Sequence, residues 1–224
     1  MTIRETINEI NDELPKHTRL VAVSKFHPAR ALREAYEAGQ RIFGESHAQE
    51  VVEKYENLPK DIQWHFIGHL QRNKVKDIVP FVSMIHSVDS LRLMRKINKE
   101  AQKAERAIPI LLQLHIADEN TKFGFSFEEV EALLDDGEWR QMGGIRISGL
   151  MGMATQTDNE EQIRAEFRSL KQFFDKIKNN YFADEADFKE ISMGMSGDYR
   201  IAAEEGSTLV RIGTRIFGKR NYDQ

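Results

Sequence analysis

The sequence predicts an α/β protein, a single (β/α)8 TIM barrel spanning residues 1–224, on three observations. Eight short apolar runs alternate with longer amphipathic ones along the chain. The short runs are apolar on both faces, as strands covered by helices and closed around a packed interior require. No stretch between them is rich enough in Gly, Pro or Ser to read as a linker between two halves. An open doubly wound sheet of the same alternating pattern is the competing architecture.

In chain order, "MTIRETINEINDELP" is a polar helical pattern with no apolar core or small-residue cleavage site, so no export signal is read there. "LVAV" is the first strand, and "PARALREAYEAGQ" a helix that begins at Pro28 and ends at Gly39. "RIFG", "WHFIG" and "SMIHSV" are the next three strands. The helix "SLRLMRKINKEAQKAER" leads to the strand "PILLQLHI", and "IRISGLMGM" is the sixth strand. "NEEQIRAEFRSLKQFFDKIKNN" has apolar residues at three and four spacing and reads as a long helix before the strand "FKEISMGM". A short helix, "DYRIAAEEG", closes at Gly206 ahead of the last strand, "LVRIG".

Composition excludes several functions. The formal charge is -4 with acids and bases interspersed, and no basic run marks a nucleic-acid surface. No apolar stretch approaches the roughly 18 residues of a membrane-spanning helix. Cysteine is absent, which removes disulfides, thiolate metal sites and cysteine nucleophiles and makes a reducing cytoplasm the default address.

In a barrel the chemistry belongs at the C-terminal ends of the strands, where the loops form the open mouth. The unusual residues fall there: Lys25 after the first strand, Glu45 and Ser46 after the second, Gly68 and His69 after the third, Asp89 after the fourth, Met151 and Met153 on the sixth, Ser196 after the seventh, Gly213 and Thr214 after the eighth. Residues two apart share a face of a strand, so Val21, Val23 and Lys25 line up and Lys25 stands at the top of the column filling the barrel. An amine partly stripped of water there becomes nucleophilic, the condition for a Schiff-base lysine. The alternative is a strand-end lysine extending to solvent.

Arg211 shares a face with Leu209 and Gly213, and a buried guanidinium needs a partner, which an acid such as Glu45 or Asp89 could also supply. Gly213 and Thr214 offer N–H groups and a hydroxyl to an anion. Ser196 and Gly197 sit between strand and helix, where helix N–H groups and a hydroxyl make a second anion cradle, or where Ser196 merely caps the helix. Two cradles on adjacent strands would converge on one dianion, and a phosphate ester is the natural guest. His65 and His69 on an extended strand are roughly 13 Å apart, too far for one metal, and no metal site is read. His65 is read as a hydrogen-bonded core or rim histidine, Asn73 and Lys74 as the start of the next helix near the mouth, and Met151 and Met153 as packing residues.

"LVAVSKFHP", "FGESHAQE", "WHFIGHLQRNK", "SVDS", "TKFGF", "GLMGM", "SMGMSGDYRIA" and "LVRIGTRIFG", in this order over nearly the whole chain, resemble the pyridoxal-phosphate homeostasis proteins, the YggS or PROSC-type family. The resemblance implies a fold-type III barrel like the N-terminal domain of alanine racemase that binds pyridoxal 5'-phosphate without a defined catalytic reaction. It places the internal Schiff base on Lys25, Arg211 beside the pyridine nitrogen, and Ser196, Gly197, Gly213 and Thr214 around the phosphate, with Met151 and Ser46 as further cofactor contacts. The chain departs from the pattern at Ser46, a hydroxyl where the family has an asparagine amide after Gly44-Glu45.

Arginine beside the pyridine nitrogen opposes its protonation and weakens the cofactor as an electron sink. Racemases of this barrel type add a tyrosine from a separate domain across a dimer, whereas "GKRNYDQ" ends this sequence a few residues after the last strand. The expectation is a cytoplasmic monomer with no catalytic residues and no metal, buffering the cofactor as a reversible Schiff base and passing it to apo-enzymes. A minimal racemase or decarboxylase is the rival, with Tyr199, His69 or Glu45 as its second acid-base group. A third reading is a barrel for some other phosphorylated metabolite.

Overall fold

A computed structural model of the chain describes residues 1–118 and 123–218; Thr121 and Lys122 of the "TKFGF" motif and the run from Lys219 onward lie outside the described residues. The order of elements is α1 (Ile3–Glu13), β1 (Arg19–Val23), α2 (Ala29–Glu37), β2 (Ile42–Glu45), α3 (Ala48–Asn57), β3 (Gln63–Phe66), α4 (Val75–Ile78), β4 (Met84–Val88), α5 (Leu91–Lys103), β5 (Ile108–Gln113), α6 (Phe127–Asp136), β6 (Ile145–Met151), α7 (Glu160–Tyr181), β7 (Glu190–Ser192), α8 (Tyr199–Glu204), β8 (Leu209–Ile212) and α9 (Thr214–Phe217). The eight strands pair in parallel in sequence order, and β1 pairs with β8 to close the barrel. The open sheet is thereby excluded.

Local chemistry accounts for the helix boundaries. Thr2 and Glu5 form a reciprocal cap at the start of α1, as Ser126 and Glu129 do for α6, each pair satisfying two backbone N–H groups. Pro28 precedes α2, and Asn159 caps the long α7 by accepting from the Gln162 N–H. α7 buries Ile163, Phe167, Leu170, Phe173, Phe174 and Ile177, the three-and-four stripe that the sequence displays.

Strand alternation divides the core into two layers. Outward-facing Phe43, Trp64 and Phe66 pack with the helices, each contributing about 2–3 kcal/mol of burial. Inward-facing Val21, Ile42, Met84, Leu111, Met151 and Leu209 form a separate cluster inside the barrel, with Met153 against it. Met151 packs within this cluster and Met153 against it, as the sequence suggests, with Met151 at the C-terminal end of β6. Between β5 and β6 the register shifts at Ile110/Leu111, where Gly149 adopts φ +151°. A Cβ there would stand 1.8 Å from the Glu190 carbonyl oxygen on β7.

Only glycine tolerates that backbone and that approach. Gly149→Ala is therefore expected to destabilise the protein by about 3 kcal/mol or more. Urea denaturation measures it, and a loss below about 1 kcal/mol would show that β6 can shift away from β7.

Candidate functional site

β1 ends at Val23, so Lys25 does not extend the strand but follows it in a half-buried turn at the mouth. The turn includes Phe26 at φ +64°, a conformation that costs roughly 1–2 kcal/mol for a residue with a Cβ. Charged groups from the next βα unit hold it there. Ser24 donates from Oγ to Glu45 Oε1 at 2.6 Å, and the Phe26 N–H donates to Glu50 Oε1 at 2.6 Å. Buried Lys54, on α3, donates to the Ser24 carbonyl, Glu45 and Glu50, each at 2.7 Å.

Gly44 faces the interior, where a Cβ would meet Val21, so its neighbour Glu45 lies on the outer face of the barrel. Burial raises the Glu45 carboxyl to about pH 7 despite the attraction of Lys54, and its second oxygen has no hydrogen-bond partner. Glu45 thus braces the Lys25 turn from behind instead of standing in the mouth, and it is not the counter-ion of Arg211.

Arg211 is buried on the interior face of β8, in register with Val21 of β1. Its partners are neutral: Nη1 donates to Ser192 Oγ at 2.6 Å and Nη2 to the Gly152 carbonyl at 3.1 Å. Desolvation lowers its pKa to about 10, with Asp198 opposing, so it remains a cation at neutral pH. Asp89, the other acid considered for it, pairs with His69 at 3.3 Å instead.

Ser192 also contacts His86 Nδ1 at 2.8 Å, and His86 Nε2 lies 2.9 Å from His65 Nδ1. His65 has the hydrogen-bonded role that the sequence suggests, and its partner is His86, which strand-end position does not mark. The sequence signal available was a histidine two residues after Met84 on the inward face of an apolar strand. Desolvation lowers His65 to about 3, with Arg19 adding to the effect. It also drives His86 well below its ordinary value, helped by His65, Arg211 and Arg19. Both imidazoles are neutral.

The two expected anion cradles meet. Ser196 Oγ accepts from the Gly213 N–H at 3.3 Å. Among the described residues the N–H groups of Ser196, Gly197 and Thr214 have no acceptor. Gly213 fits closely against β1, since a Cβ there would stand 2.8 Å from the Val23 carbonyl oxygen. Ser196 does not cap α8; Asp198 occupies the cap position and accepts the Met195 N–H at 2.5 Å.

Behind the loops, Glu13 of α1 binds Arg200 at 3.0 Å and Arg215 at 3.1 Å and accepts from the Tyr199 hydroxyl. Both arginines hold its carboxyl below the usual range. Tyr199 is buried and tied to Glu13 and Arg215, and so is committed to this brace. His69 is half exposed and stacked on Phe123.

Ser46 is half-buried beside Gly68, whose Cβ position would overlap the Ser46 backbone at 2.4 Å. Arg72–Lys74 form a short 3-10 helix, as the reading of Asn73 and Lys74 anticipated. Among the described residues no cluster of three or more metal-ligating side chains occurs and no helix is long and apolar enough to cross a membrane.

The family described as alanine racemase, N-terminal domain, matches residues 1–221. The pyridoxal phosphate homeostasis protein of Aquifex aeolicus is 37% identical over 205 residues, covering 91% of this chain and 88% of the relative. That of Escherichia coli K12 is 35% identical over 215 residues, covering 94% and 89%. PipY of Synechococcus elongatus, 35% identical, superposes with a TM-score of 0.90 without pyridoxal phosphate and 0.88 with it bound, covering 97% of this chain and all of PipY.

The buried histidines and Glu45 oppose one another in the pH dependence of stability. Below pH 6.5 each unfolded histidine takes a proton that the folded one refuses, so stability falls by about 1.4 kcal/mol per pH unit for each. Between pH 7 and 4.5 the folded Glu45 keeps a proton that the unfolded carboxyl has released, so stability rises as pH falls. Glu45→Gln removes that compensation. Near pH 5.5 the acid-side slope is expected to steepen from about 1.4 to about 2.8 kcal/mol per unit, read from urea titrations. An unchanged slope would mean that Glu45 is ionised in the folded protein.

Proposed function

Because the chain belongs to the family of the alanine racemase N-terminal domain, and within it to the pyridoxal phosphate homeostasis proteins, we propose that it binds pyridoxal 5'-phosphate in vitamin B6 homeostasis, holding it reversibly at the barrel mouth without turning over a substrate. The observation that carries this reading is adjacency. A lysine turn and a set of unclaimed anion donors follow neighbouring strands, with Ala22 paired to Ile212 and Gly213 packed on Val23.

The residues fit the group. Lys25 is the Schiff-base lysine that holds the aldehyde carbon. Ser196, Gly197, Gly213 and Thr214 hold the phosphate through N–H and hydroxyl donors, as neutral cradles on barrel loops do. Arg211 faces the ring nitrogen, and Met151 and Ser46 complete the set. When bound, the cofactor supplies an electrophilic carbon and a ring that withdraws electrons strongly only if its nitrogen is protonated.

Arg211 opposes that protonation. With its own pKa near 10 it is charged at pH 7. A second positive charge in contact with it would cost roughly 4 kcal/mol at an effective dielectric near 20. Of the groups that could serve a racemase or decarboxylase as second acid or base, Tyr199 is tied to Glu13 and Glu45 to Lys54. His69, paired with Asp89, is the remaining one. The reading extends to a monomeric, cytoplasmic barrel that yields the cofactor to apo-enzymes when another amine displaces Lys25.

Adding pyridoxal phosphate to the purified protein is expected to give a coloured adduct, and borohydride should fix the label on Lys25 alone. Lys25→Ala should lose the colour, and label on another lysine in the wild type would overturn the assignment. Pyridoxal lacking the phosphate is expected to bind at least about 100-fold more weakly, since two or more charge-assisted hydrogen bonds are lost. Equal affinity for the two would remove the cradle from the reading. Incubation with a panel of amino acids tests the enzyme alternative, and product above the rate of free cofactor would establish it.

A further inference from the structure

A barrel of this type is ordinarily filled by branched apolar side chains. Here four polar residues from four strands are bonded in series through it: His65 on β3, His86 on β4, Ser192 on β7 and Arg211 on β8. All four are buried. The cluster Val21, Ile42, Met84, Leu111, Met151 and Leu209 packs the remaining interior. At the floor, Arg19 of β1 pairs with Glu190 of β7 at 2.5 Å, and Thr208 donates to the other Glu190 oxygen.

Hydrogen-bond satisfaction gives the series one direction. Guanidinium can only donate, so Ser192 Oγ accepts from Arg211. Ser192 could accept from His86 as well, but its own buried proton would then have no acceptor; the arrangement that satisfies every group sends that proton to His86 Nδ1, the unprotonated nitrogen. His86 therefore carries its proton on Nε2 and donates to His65 Nδ1, leaving His65 protonated on Nε2 as well. A serine hydroxyl is otherwise a free rotor whose hydrogen could turn toward Arg211 and oppose it. With His86 as acceptor the hydrogen is held away and the lone pairs face the guanidinium.

We infer that His65 and His86 are positioning residues for the cofactor's ring nitrogen, acting through Ser192 to hold Arg211 in a single orientation. This rests on the reading that Arg211 faces that nitrogen. The series explains why two histidines occupy a barrel interior where leucine or valine would pack as well. Each bond in it polarises the next, which strengthens the grip on Arg211 beyond that of an isolated hydroxyl. The charged groups around the series are Arg211 above, with Asp198 near it, and Arg19 and Glu190 below. Burial keeps both imidazoles neutral, with Arg19 adding to the effect at His65 and His65, Arg211 and Arg19 adding to it at His86.

The test uses the full chain and pyridoxal phosphate. Histidine-selective ¹⁵N NMR of the protein without cofactor should show His65 and His86 neutral, protonated on Nε2, and not titrating between about pH 5.5 and 8. A proton on His86 Nδ1 would reverse the series and overturn the inference. In the cofactor complex, His86→Leu should weaken binding about tenfold and make the absorbance spectrum titrate near neutral pH. His86→Asn, whose amide oxygen can take the serine proton, should stay within about twofold of the wild type. Ser192→Ala, a smaller change, should reproduce the leucine variant and serves if that variant does not fold.

Wild-type affinity and a pH-independent spectrum in both His86→Leu and Ser192→Ala, or in Ser192→Ala alone if the leucine variant does not fold, would reduce the series to core filling and overturn the inference while leaving the function intact. Failure of the wild type to form any adduct would instead sink the function and this positioning role together.

Discussion

Pairing of the first strand with the last is the constraint on which the site depends. Arg19 to Ala22 run alongside Leu209 to Ile212, so that groups nearly 190 residues apart in sequence leave the barrel side by side. Loop-closure entropy grows only slowly with length, and the cost of that closure is spread over eight parallel ladders and a continuous outer core. Once the barrel is shut, the lysine turn after β1 and the glycine-threonine turn after β8 occupy neighbouring positions on the rim. No long-range electrostatic attraction is needed to bring them together.

Charge does its work outside the mouth. Glu45, Glu50 and Lys54 fasten the Lys25 turn from the helical layer, and Glu13, Arg200 and Arg215 fasten the opposite loops to α1. The Lys54 cluster is buried, where losing one partner strands the other, whereas the Glu13 cluster is partly exposed and weaker for each contact. One brace sets the position of the amine and the other that of the anion donors. The two braces thereby fix both walls of the rim.

The interior combines two materials. Six apolar residues fill part of it at ordinary cost, while the histidine, serine and arginine series occupies the rest and is tolerated because every member has a partner. Neutral histidines suit that position: a charged imidazole would set a third cation between Arg19 and Arg211. The same burial that keeps them neutral makes the barrel sensitive to acid.

The sequence by itself determined the barrel and which chemical groups stand at the C-terminal ends of its strands. Those follow from periods of two and 3.6 and from strand-end position, which are local properties: the stripe on α7, the inward column of β1, the glycines and hydroxyls after β7 and β8. Lys25, Arg211, Ser196 and Gly213 were visible because each breaks a local pattern. The tertiary structure alone decided which groups are partners. Glu45 on the outer face with Lys54, Asp89 with His69, and Arg211 with Ser192 and then His86 join residues on different strands or helices. The physical reason is that a hydrogen bond requires two groups within about 3 Å, and pairing across a closed barrel is set by register and curvature, which no local run of residues encodes.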